Sequence, residues 1–356
     1  MTQTTFNRRQ ALAAGSALAV SMAGAAFAQE QKKQDPREDA LPVPGAVRSQ
    51  FDKKSTAEQV TEGLDLTGKT VLITGCNSGL GFETMRVMML RGAHVLGLAR
   101  SKDKAAEAIA SVAAMPGVKG KGTPFACELQ DFATVAAAAD EVNKLEMPID
   151  VLMTNAGIMA LQKPEQVNGI EKHFVVNHLG HFILVNRLME KVKAAPQGRF
   201  VVVSSMGYRW APEAGIEFDN LDGTRDYTPN KMYGQSKLAN GLMSLELAKR
   251  LAGTATTSNA IHPGVINTNL GRHFPWYVRV AASLIGWTFM KTVEEGAATQ
   301  SYVATAPALS TTSGLYFEDC NPVIPQTKAM QDPDLAAKLW AKSEELTKPY
   351  LPVAVV

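Results

Sequence analysis

The sequence predicts an α/β fold in which a single doubly wound parallel sheet carries helices on both faces. From residue 69 onward, short apolar runs rich in β-branched residues alternate with helical stretches, which is typical of parallel strands covered on both sides. In addition, small and polar residues directly follow several of these runs. Rossmann-type sheets bind their ligands beyond the carboxyl ends of the strands, so these residues are candidates for a site.

Each element of the predicted fold follows from a local pattern. Apolar runs predict strands at residues 70–74, 94–99, 124–127, 149–154, 199–204 and 258–261. The stretches between them predict helices at residues 81–91, 105–114, 132–145, 171–193 and 232–251. Because crossovers between parallel strands are right-handed, this order gives a doubly wound sheet.

The N-terminal residues have the features of an export signal. Adjacent arginines, Arg8 and Arg9, precede an Ala-rich apolar run over residues 11–28 that ends in Ala-Phe-Ala before Gln29. This pattern indicates a twin-arginine signal peptide, cleaved near Ala28, in a bacterial protein of the periplasm. The alternative is an N-terminal membrane anchor, for which the weakly apolar run is marginal in length.

Charge and composition exclude some classes of partner. Removing residues 1–28 lowers Lys+Arg from 36 to 34, equal to the 34 Asp+Glu, so a nucleic-acid partner gains no support. Residues 29–60 are polar and contain three prolines, which predicts a linker or surface arm before one domain at 61–356. No later segment is long and apolar enough to span a membrane. Association with a membrane surface stays open, although single basic residues such as Arg279 and Lys291 support it only weakly.

Three cysteines, Cys76, Cys127 and Cys320, lie far apart in the chain. Their number is odd and their spacing forms no disulfide framework. Cys76 lies inside the glycine-rich motif described next, but packing explains all three cysteines.

A glycine-rich motif follows the first predicted strand and opens the first helix. The motif runs from Thr74 to Gly81; its glycines permit a tight turn, and the helix N-terminus offers N–H groups to a pyrophosphate. The candidate cofactor-binding residues here are Gly75, Asn77, Ser78, Gly79, Leu80 and Gly81.

Residues after the next strands extend the predicted cofactor site. The second strand is followed by Arg100 and Ser101 where a carboxylate would meet a free ribose hydroxyl. The missing carboxylate favours NADP(H) over NAD(H), because Arg100 and Lys102 can hold a 2′-phosphate instead; the alternative is a solvated surface arginine. The third strand leads to Glu128 and Leu129, which we expect to border the adenine. The fourth is followed by three small residues that allow close backbone approach: Asn155, Ala156 and Gly157.

Four further residues form a predicted reaction centre. Tyr233 and Lys237 share one face of a predicted helix. A nearby lysine cation lowers the pKa of a phenol, which then exchanges a proton with an alcohol or carbonyl. Ser205 follows the fifth strand and supplies a hydroxyl to the substrate oxygen. Asn177 lies in mid-helix, where Asn has little structural reason to be, and we expect it to hold a water that relays protons to Lys237.

Three histidines near Asn177 raise the question of a metal site. They are His173, His178 and His181. Their spacing lacks the His-Glu-x-x-His pattern, and no nearby acid or cysteine completes a ligand set. We therefore predict packing roles for them and no metal.

Together these motifs resemble the short-chain dehydrogenase/reductase superfamily, over about residues 60–345. The sequence looks most like its retinol-dehydrogenase-like branch, which includes the WW-domain oxidoreductases, although no WW domain is present. The resemblance rests on residues 70–81, 176–182, 233–240, 260–268 and 314–317. It implies that Asn177, Ser205, Tyr233 and Lys237 form the catalytic tetrad of that family.

The resemblance also implies further site residues and a homo-oligomer, either a dimer or a tetramer. A backbone segment holding the nicotinamide, and a threonine near it, correspond to Pro263, Gly264, Ile266 and Thr268. Residues 274–290 correspond to a small helical substrate lid, and their aromatic side chains suggest a lipophilic substrate. A packed helix or a subunit contact is an equal alternative for this segment.

The sequence departs from the family pattern in three ways. Glu128 stands where many members have Asp, and an insertion around residues 211–230 lengthens the segment between Ser205 and Tyr233. Members of the branch are also commonly intracellular, whereas this chain carries the predicted export signal.

The sequence therefore predicts an oxidoreductase that moves hydride between NADP(H) and a lipophilic alcohol, aldehyde or ketone. An alternative is an NADP(H)-binding interaction protein with vestigial chemistry, against which the intact tetrad argues. A metal-independent epimerase is less favoured, because such proteins show a different glycine spacing. The export signal suggests that the protein folds around NADP(H) before it leaves the cytoplasm.

Overall fold

The computed structural model describes residues 41–266 and 290–352. The predicted signal peptide, Thr268 and nearly all of the predicted lid at 274–290 lie outside these residues. The strands, in chain order, are β1 (Thr70–Thr74), β2 (His94–Ala99), β3 (Lys121–Ala126), β4 (Val151–Thr154), β5 (Gln166–Val167), β6 (Ile170–Glu171), β7 (Arg199–Val203), β8 (Thr257–His262), β9 (Tyr316–Glu318) and β10 (Asn321–Val323).

The helices alternate with the long strands, as the sequence predicts. They are α1 (Ala57–Val60), α2 (Gly79–Leu90), α3 (Lys102–Ala113), α4 (Phe132–Asn143), α5 (Lys172–Phe174), α6 (Gly180–Lys193), α7 (Pro229–Arg250), α8 (Val293–Gly296), α9 (Ala298–Thr305) and α10 (Pro333–Thr347). None of the helices described here is long and apolar enough to cross a membrane.

One large sheet organises the domain, in the order β10-β9-β8-β7-β4-β1-β2-β3. All its neighbouring strands are parallel except β9 and β10, which form an antiparallel edge. The chain moves from β1 outward to β2 and β3 and then returns to β4 on the other side of β1. This reversal opens a crevice above the carboxyl ends of β1 and β4, which is the ligand-binding position of a Rossmann-type sheet. The predicted fold class is confirmed.

Two apolar cores cover the two faces of the sheet. Alternate residues of β1 point to opposite faces, so Leu72 joins one core while Val71 and Ile73 join the other. The first core contains side chains of α4, α6, α7 and α10, and the second contains those of α1, α2, α3 and α9. Both faces are therefore buried, which explains why the strands read as continuous apolar runs.

Residues 41–56 lie along the antiparallel edge of the sheet. Pro42 forms a bridge with Val323 in β10. The Asn321 side chain accepts a hydrogen bond from the Ser49 N–H at 3.0 Å and donates one to the Phe51 carbonyl at 2.9 Å. This arm then leads into α1, whose residues Ala57 and Val60 are buried in the second core.

Candidate functional site

The carboxyl ends of β1, β4, β7 and β8 meet at one edge of the sheet, where most of the predicted site residues lie. Thr74, Thr154 and Val203 end neighbouring strands, and His262 ends the next one. The glycine turn follows Thr74, and Ser205 follows β7 closely. The fold thus brings the two ends of the predicted site to the same crevice.

The glycine turn is built from close backbone contacts. Gly75 has a positive φ of 72°, and its N–H donates to the Leu98 carbonyl of β2 at 2.8 Å. A Cβ on Gly81 would lie 2.2 Å from the Gly75 carbonyl oxygen and 2.6 Å from Nδ2 of Asn155. Only a glycine at position 81 lets α2 approach the turn this closely.

The turn leaves the N-terminus of α2 open to an anion. The N-cap residue Ser78 is exposed and makes no capping hydrogen bond through its side chain. The first N–H groups of a helix have no intrahelical partner, and they attract negative charge. Asn77 is also exposed, whereas Cys76 is fully buried, next to Gly97 of β2. Burial raises the pKa of the Cys76 thiol to about 12, so Cys76 has a packing role.

The residues after β2 and β3 lie beside the turn. Arg100 is exposed, and the Ser101 hydroxyl caps α3 by accepting from the Lys104 N–H at 3.4 Å. Glu128 is half-buried, and its carbonyl accepts from the Thr134 hydroxyl at 3.0 Å. An exposed guanidinium at the end of β2 can bind an anionic group.

Asn155 joins the end of β4 to the end of β1. Its Nδ2 donates to the Thr74 carbonyl at 2.8 Å, and its Oδ1 accepts from the Gln300 side chain at 3.2 Å. The Asn155 and Ala156 N–H groups both donate to the Thr74 hydroxyl, at 2.9 and 3.0 Å. A Cβ on Gly157 would lie 3.1 Å from Oδ1 of Asn177, so this segment leads from the cofactor turn to the tetrad.

The segment after β8 returns toward the same turn. Pro263 is buried, and Gly264 has a positive φ of 104° with the Lys291 side chain packed against it. A Cβ on Gly296 would lie 2.5 Å from Cδ1 of Ile266 and 2.9 Å from Cδ2 of Leu80. Ile266 and Leu80 therefore converge at α8, beside the glycine turn.

Tyr233 and Lys237 lie in the first half of α7, which crosses the end of β7. Lys237 donates from Nζ to the Val203 carbonyl at 3.1 Å, and its own carbonyl accepts from the Ser204 hydroxyl at 2.7 Å. The Nζ atom lies 5.9 Å from the centroid of the Tyr233 ring. Ser205 is half-buried at the start of a 3₁₀ turn, and it hydrogen-bonds with Tyr233.

Burial controls the protonation of this pair. It raises the pKa of the Tyr233 phenol to about 12, while the hydrogen bond with Ser205 acts in the opposite direction. Burial also lowers the pKa of Lys237 to about 8. The sequence predicts that Lys237 lowers the pKa of the phenol, whereas in the structure burial raises that pKa. The phenol therefore holds its proton at neutral pH.

Asn177 lies in a π-helical turn, Val175–Leu179, between α5 and α6. Its Oδ1 accepts from the Ile158 N–H at 2.8 Å, and its Nδ2 donates to the Ile158 carbonyl at 3.0 Å and to the Ser236 hydroxyl at 2.9 Å. Both the oxygen and the nitrogen of the side-chain amide are thus hydrogen-bonded. A π-turn inside a helix is frequent at functional sites, and the mid-helix Asn is the sequence signal for it.

Each of the three histidines near Asn177 has a different partner. His173 pairs with Glu171 at 2.7 Å, His178 with the Ser343 hydroxyl at 2.8 Å, and His181 with the Thr74 hydroxyl at 2.9 Å. In residues 41–266 and 290–352, no group of three or more His, Cys, Asp or Glu side chains is arranged to hold a metal ion.

Several residues that position the site were not predicted from the sequence. The Ser236 hydroxyl accepts from Asn177 and donates to the Tyr233 carbonyl at 2.7 Å. Gln300, which holds Asn155, lies far away in the chain on α9. Small polar residues in the buried part of α7 could have indicated a role for Ser236. The sequence around Gln300 contains no comparable pattern.

Replacing Lys237 with Met should stabilise the protein at pH 7 by about 1–3 kcal/mol, because a buried charge is removed. The Val203 carbonyl keeps its second donor, Nδ2 of Asn240 at 3.1 Å. Between the folded pKa of about 8 and the ordinary value of 10.5, the unfolded chain binds more protons, so the stability of the unsubstituted protein rises with pH. The gain from Met should therefore be largest below pH 8 and shrink toward pH 10.5. Denaturant unfolding across this range measures it, and a gain that is independent of pH would contradict the assignment.

Comparisons with known proteins agree with this geometry. Residues 69–215 match the family model for short chain dehydrogenases. Human retinol dehydrogenase 14 is 42% identical over 78% of this chain and 85% of its own, and the human WW domain-containing oxidoreductase is 36% identical over 88% and 76%. A solved structure from Mycobacterium paratuberculosis, 31% identical, has a TM-score of 0.64 and covers 83% of this chain and 98% of its own. The chain therefore belongs to the short-chain dehydrogenase/reductase superfamily of oxidoreductases.

Proposed function

We propose that this protein transfers hydride between NADP(H) and a lipophilic alcohol, aldehyde or ketone, with Tyr233 as the general acid and base. One observation carries the proposal. Ser205, Tyr233 and Lys237 meet at the strand edge that also holds the glycine turn. A proton donor, a hydroxyl for the substrate oxygen and a dinucleotide cradle thus share one crevice.

The chain's residues fit the dinucleotide. The bare Cα of Gly81 lies against the Gly75 carbonyl, and the open N-terminus of α2 follows from the same turn; these features fit a pyrophosphate. Arg100 fits the 2′-phosphate of NADP(H). When bound, the nicotinamide ring supplies or accepts the hydride at C4.

The protein's own residues handle the proton and the substrate oxygen. During reduction, the protonated Tyr233 phenol donates to the carbonyl oxygen as negative charge develops there, while the Ser205 hydroxyl donates a hydrogen bond to the same oxygen. Oxidation reverses the proton transfer, and it requires the phenolate. Since Lys237 lies beside the ring, its cation favours the phenolate. Asn177 fixes α5 and α6 against α7 through Ser236.

The lipophilic substrate class rests on sequence and similarity. Residues 274–290 are rich in aromatic side chains, and one relative is named a retinol dehydrogenase. Purified protein should oxidise NADPH when retinal or long-chain aldehydes are added, and it should discriminate against short hydrophilic aldehydes. Nucleotide binding without turnover on any lipophilic carbonyl or alcohol would favour the interaction-protein alternative.

Replacing Arg100 with Asp should weaken NADPH binding by about tenfold, because a charge-assisted hydrogen bond to phosphate is replaced by repulsion. NADH should bind at least as well as before, since Asp can accept from a ribose hydroxyl. Fluorescence titration with both nucleotides measures the change. Lys144→Asp is the matched control, because Lys144 is an exposed base at the far end of α4. Equal losses of affinity for NADPH and NADH would argue against a contact with the 2′-phosphate.

We further propose that residues 1–28 direct the protein to the periplasm with NADP(H) already bound, and that it forms a dimer or tetramer. Mass analysis of the exported protein should find Gln29 at its N-terminus and near-stoichiometric NADP(H) after denaturation. An exported but empty protein that binds added nucleotide would overturn the preloading. Sedimentation of the same sample gives the oligomeric state.

A further inference from the structure

The buried ring of His181 connects the cofactor turn to the catalytic tetrad. It lies on α6, four residues after Asn177, and its side chain is fully buried. The Nδ1 atom is 2.9 Å from the Asn177 carbonyl oxygen, and the Nε2 atom is 2.9 Å from the Thr74 hydroxyl. One side chain therefore touches a tetrad residue and the residue that precedes the glycine turn.

The hydrogen bonds of this ring have only one consistent direction. The Asn177 carbonyl can only accept, so Nδ1 carries the proton and donates. The Nε2 atom then accepts from the Thr74 hydroxyl. That hydroxyl oxygen already accepts from the Asn155 and Ala156 N–H groups, so its own proton is free to be donated to the ring. Burial lowers the pKa of His181 to about 4, and the ring is neutral, as this arrangement requires.

The chain of contacts continues to the catalytic helix. Asn177 donates to the Ser236 hydroxyl, which in turn donates to the carbonyl of Tyr233. On the other side, Thr74 holds Asn155 and Ala156 of the predicted cofactor site. Buried hydrogen bonds, joined through the covalent frame of Asn177, thus connect Thr74 through His181 to the backbone of Tyr233.

We propose that His181 is a positioning residue that holds the cofactor turn and the catalytic helix in mutual register through its hydrogen bonds to Thr74 and Asn177. This inference rests on the proposed function, because register between the turn and Tyr233 matters only where nucleotide and substrate react. Hydride and proton transfer need the two reactants held within a fraction of an ångström. The role acts through Thr74 and Asn177, so His181 itself touches neither reactant.

His181→Asn separates the two hydrogen bonds of the ring. The Asn amide takes the place of Nδ1 and can still donate to the Asn177 carbonyl, but it is too short to reach Thr74. The buried Thr74 hydroxyl then loses its acceptor, and we expect turnover to fall and the Kd for NADPH to rise, each by about tenfold. His181→Gln, whose longer side chain returns an acceptor toward Thr74, should recover part of both losses.

A matched control distinguishes positioning from packing. His178 is also fully buried, lies in the π-turn next to Asn177, and hydrogen-bonds with Ser343 on α10, away from the glycine turn. His178→Asn should lower the melting temperature as much as His181→Asn while keeping turnover and the Kd within about twofold of the unsubstituted protein.

The measurements are melting temperature, NADPH titration and steady-state aldehyde reduction on the full mature chain. His181→Asn with an unchanged Kd and turnover but a lower melting temperature would reduce His181 to a packing residue. If His178→Asn raised the Kd for NADPH as much as His181→Asn does, the proposal would also be overturned. If the unsubstituted protein binds NADPH without any turnover, the proposed function fails, and the NADPH titrations still decide whether His181 holds the cofactor turn.

Discussion

Replacing Tyr233 with Phe should reduce turnover by about 10²–10⁴-fold while the protein still binds NADP(H), because the change removes only the acid and base. The ring is buried, with 4% of its surface exposed, and it lies edge-on to His173 and near Trp210. A Cβ on Gly207 would lie 2.7 Å from this ring, so the pocket is shaped to an aromatic side chain and Phe fits it.

Paired measurements make this result decisive. Steady-state reduction of an aldehyde gives the rate, and fluorescence titration of NADPH gives the affinity on the same preparation. Tyr302→Phe is the control, because Tyr302 is a buried tyrosine of α9 in the second core. Undiminished turnover in Tyr233→Phe would assign the proton to another group. Unchanged biological activity without turnover would support the interaction-protein alternative.

Gly81→Ala should weaken NADP(H) binding by at least about 100-fold and lower the melting temperature, although Gly to Ala inside a helix normally stabilises by about 1 kcal/mol. The added methyl would lie 2.2 Å from the Gly75 carbonyl oxygen. That atom is backbone, and Gly75 is itself fixed by its bond to Leu98. The turn must therefore open, and the cradle for the pyrophosphate changes shape.

A second glycine supplies the control for this substitution. Gly241 lies on α7, and a Cβ there would meet the flexible end of Met330, 2.1 Å from Cε. Because Met330 can move away, Gly241→Ala should leave NADP(H) binding unchanged. Isothermal titration of both variants compares them. Full nucleotide affinity in Gly81→Ala would mean that the turn is not the pyrophosphate site.

The long elements of the fold could be predicted because their patterns are local. Strands β1 and β2 match the predicted bounds, and β4, β7 and β8 differ by one or two residues. The edge strand β3 begins at Lys121, three residues before the predicted start, since its first residues are polar and pair with β2. The two- and three-residue strands β5, β6, β9 and β10 were missed, because so few residues carry no periodicity.

The candidate site, like the fold, could be predicted only in part from the sequence. Chain order was enough to select Asn177, Ser205, Tyr233 and Lys237, and the structure places them together. The π-turn was not predicted, because the apolar pattern of a helix continues through it. The bond between His181 and Thr74 spans 107 positions, and the raised pKa of Tyr233 comes from burial by distant segments. Such effects exist only once the chain is folded.

The arm at residues 41–56 contacts a segment that lies far away in the chain. Its partner Asn321 lies 272 positions after Ser49, so this contact can form only after almost the whole domain has been synthesised. Contacts of such sequence separation form late, because closing a long loop is entropically unfavourable. The arm also covers backbone groups that would otherwise template pairing with another chain. Docking of the arm therefore depends on a folded edge strand, because Asn321 and β10 must be in place before residues 41–56 can bind there.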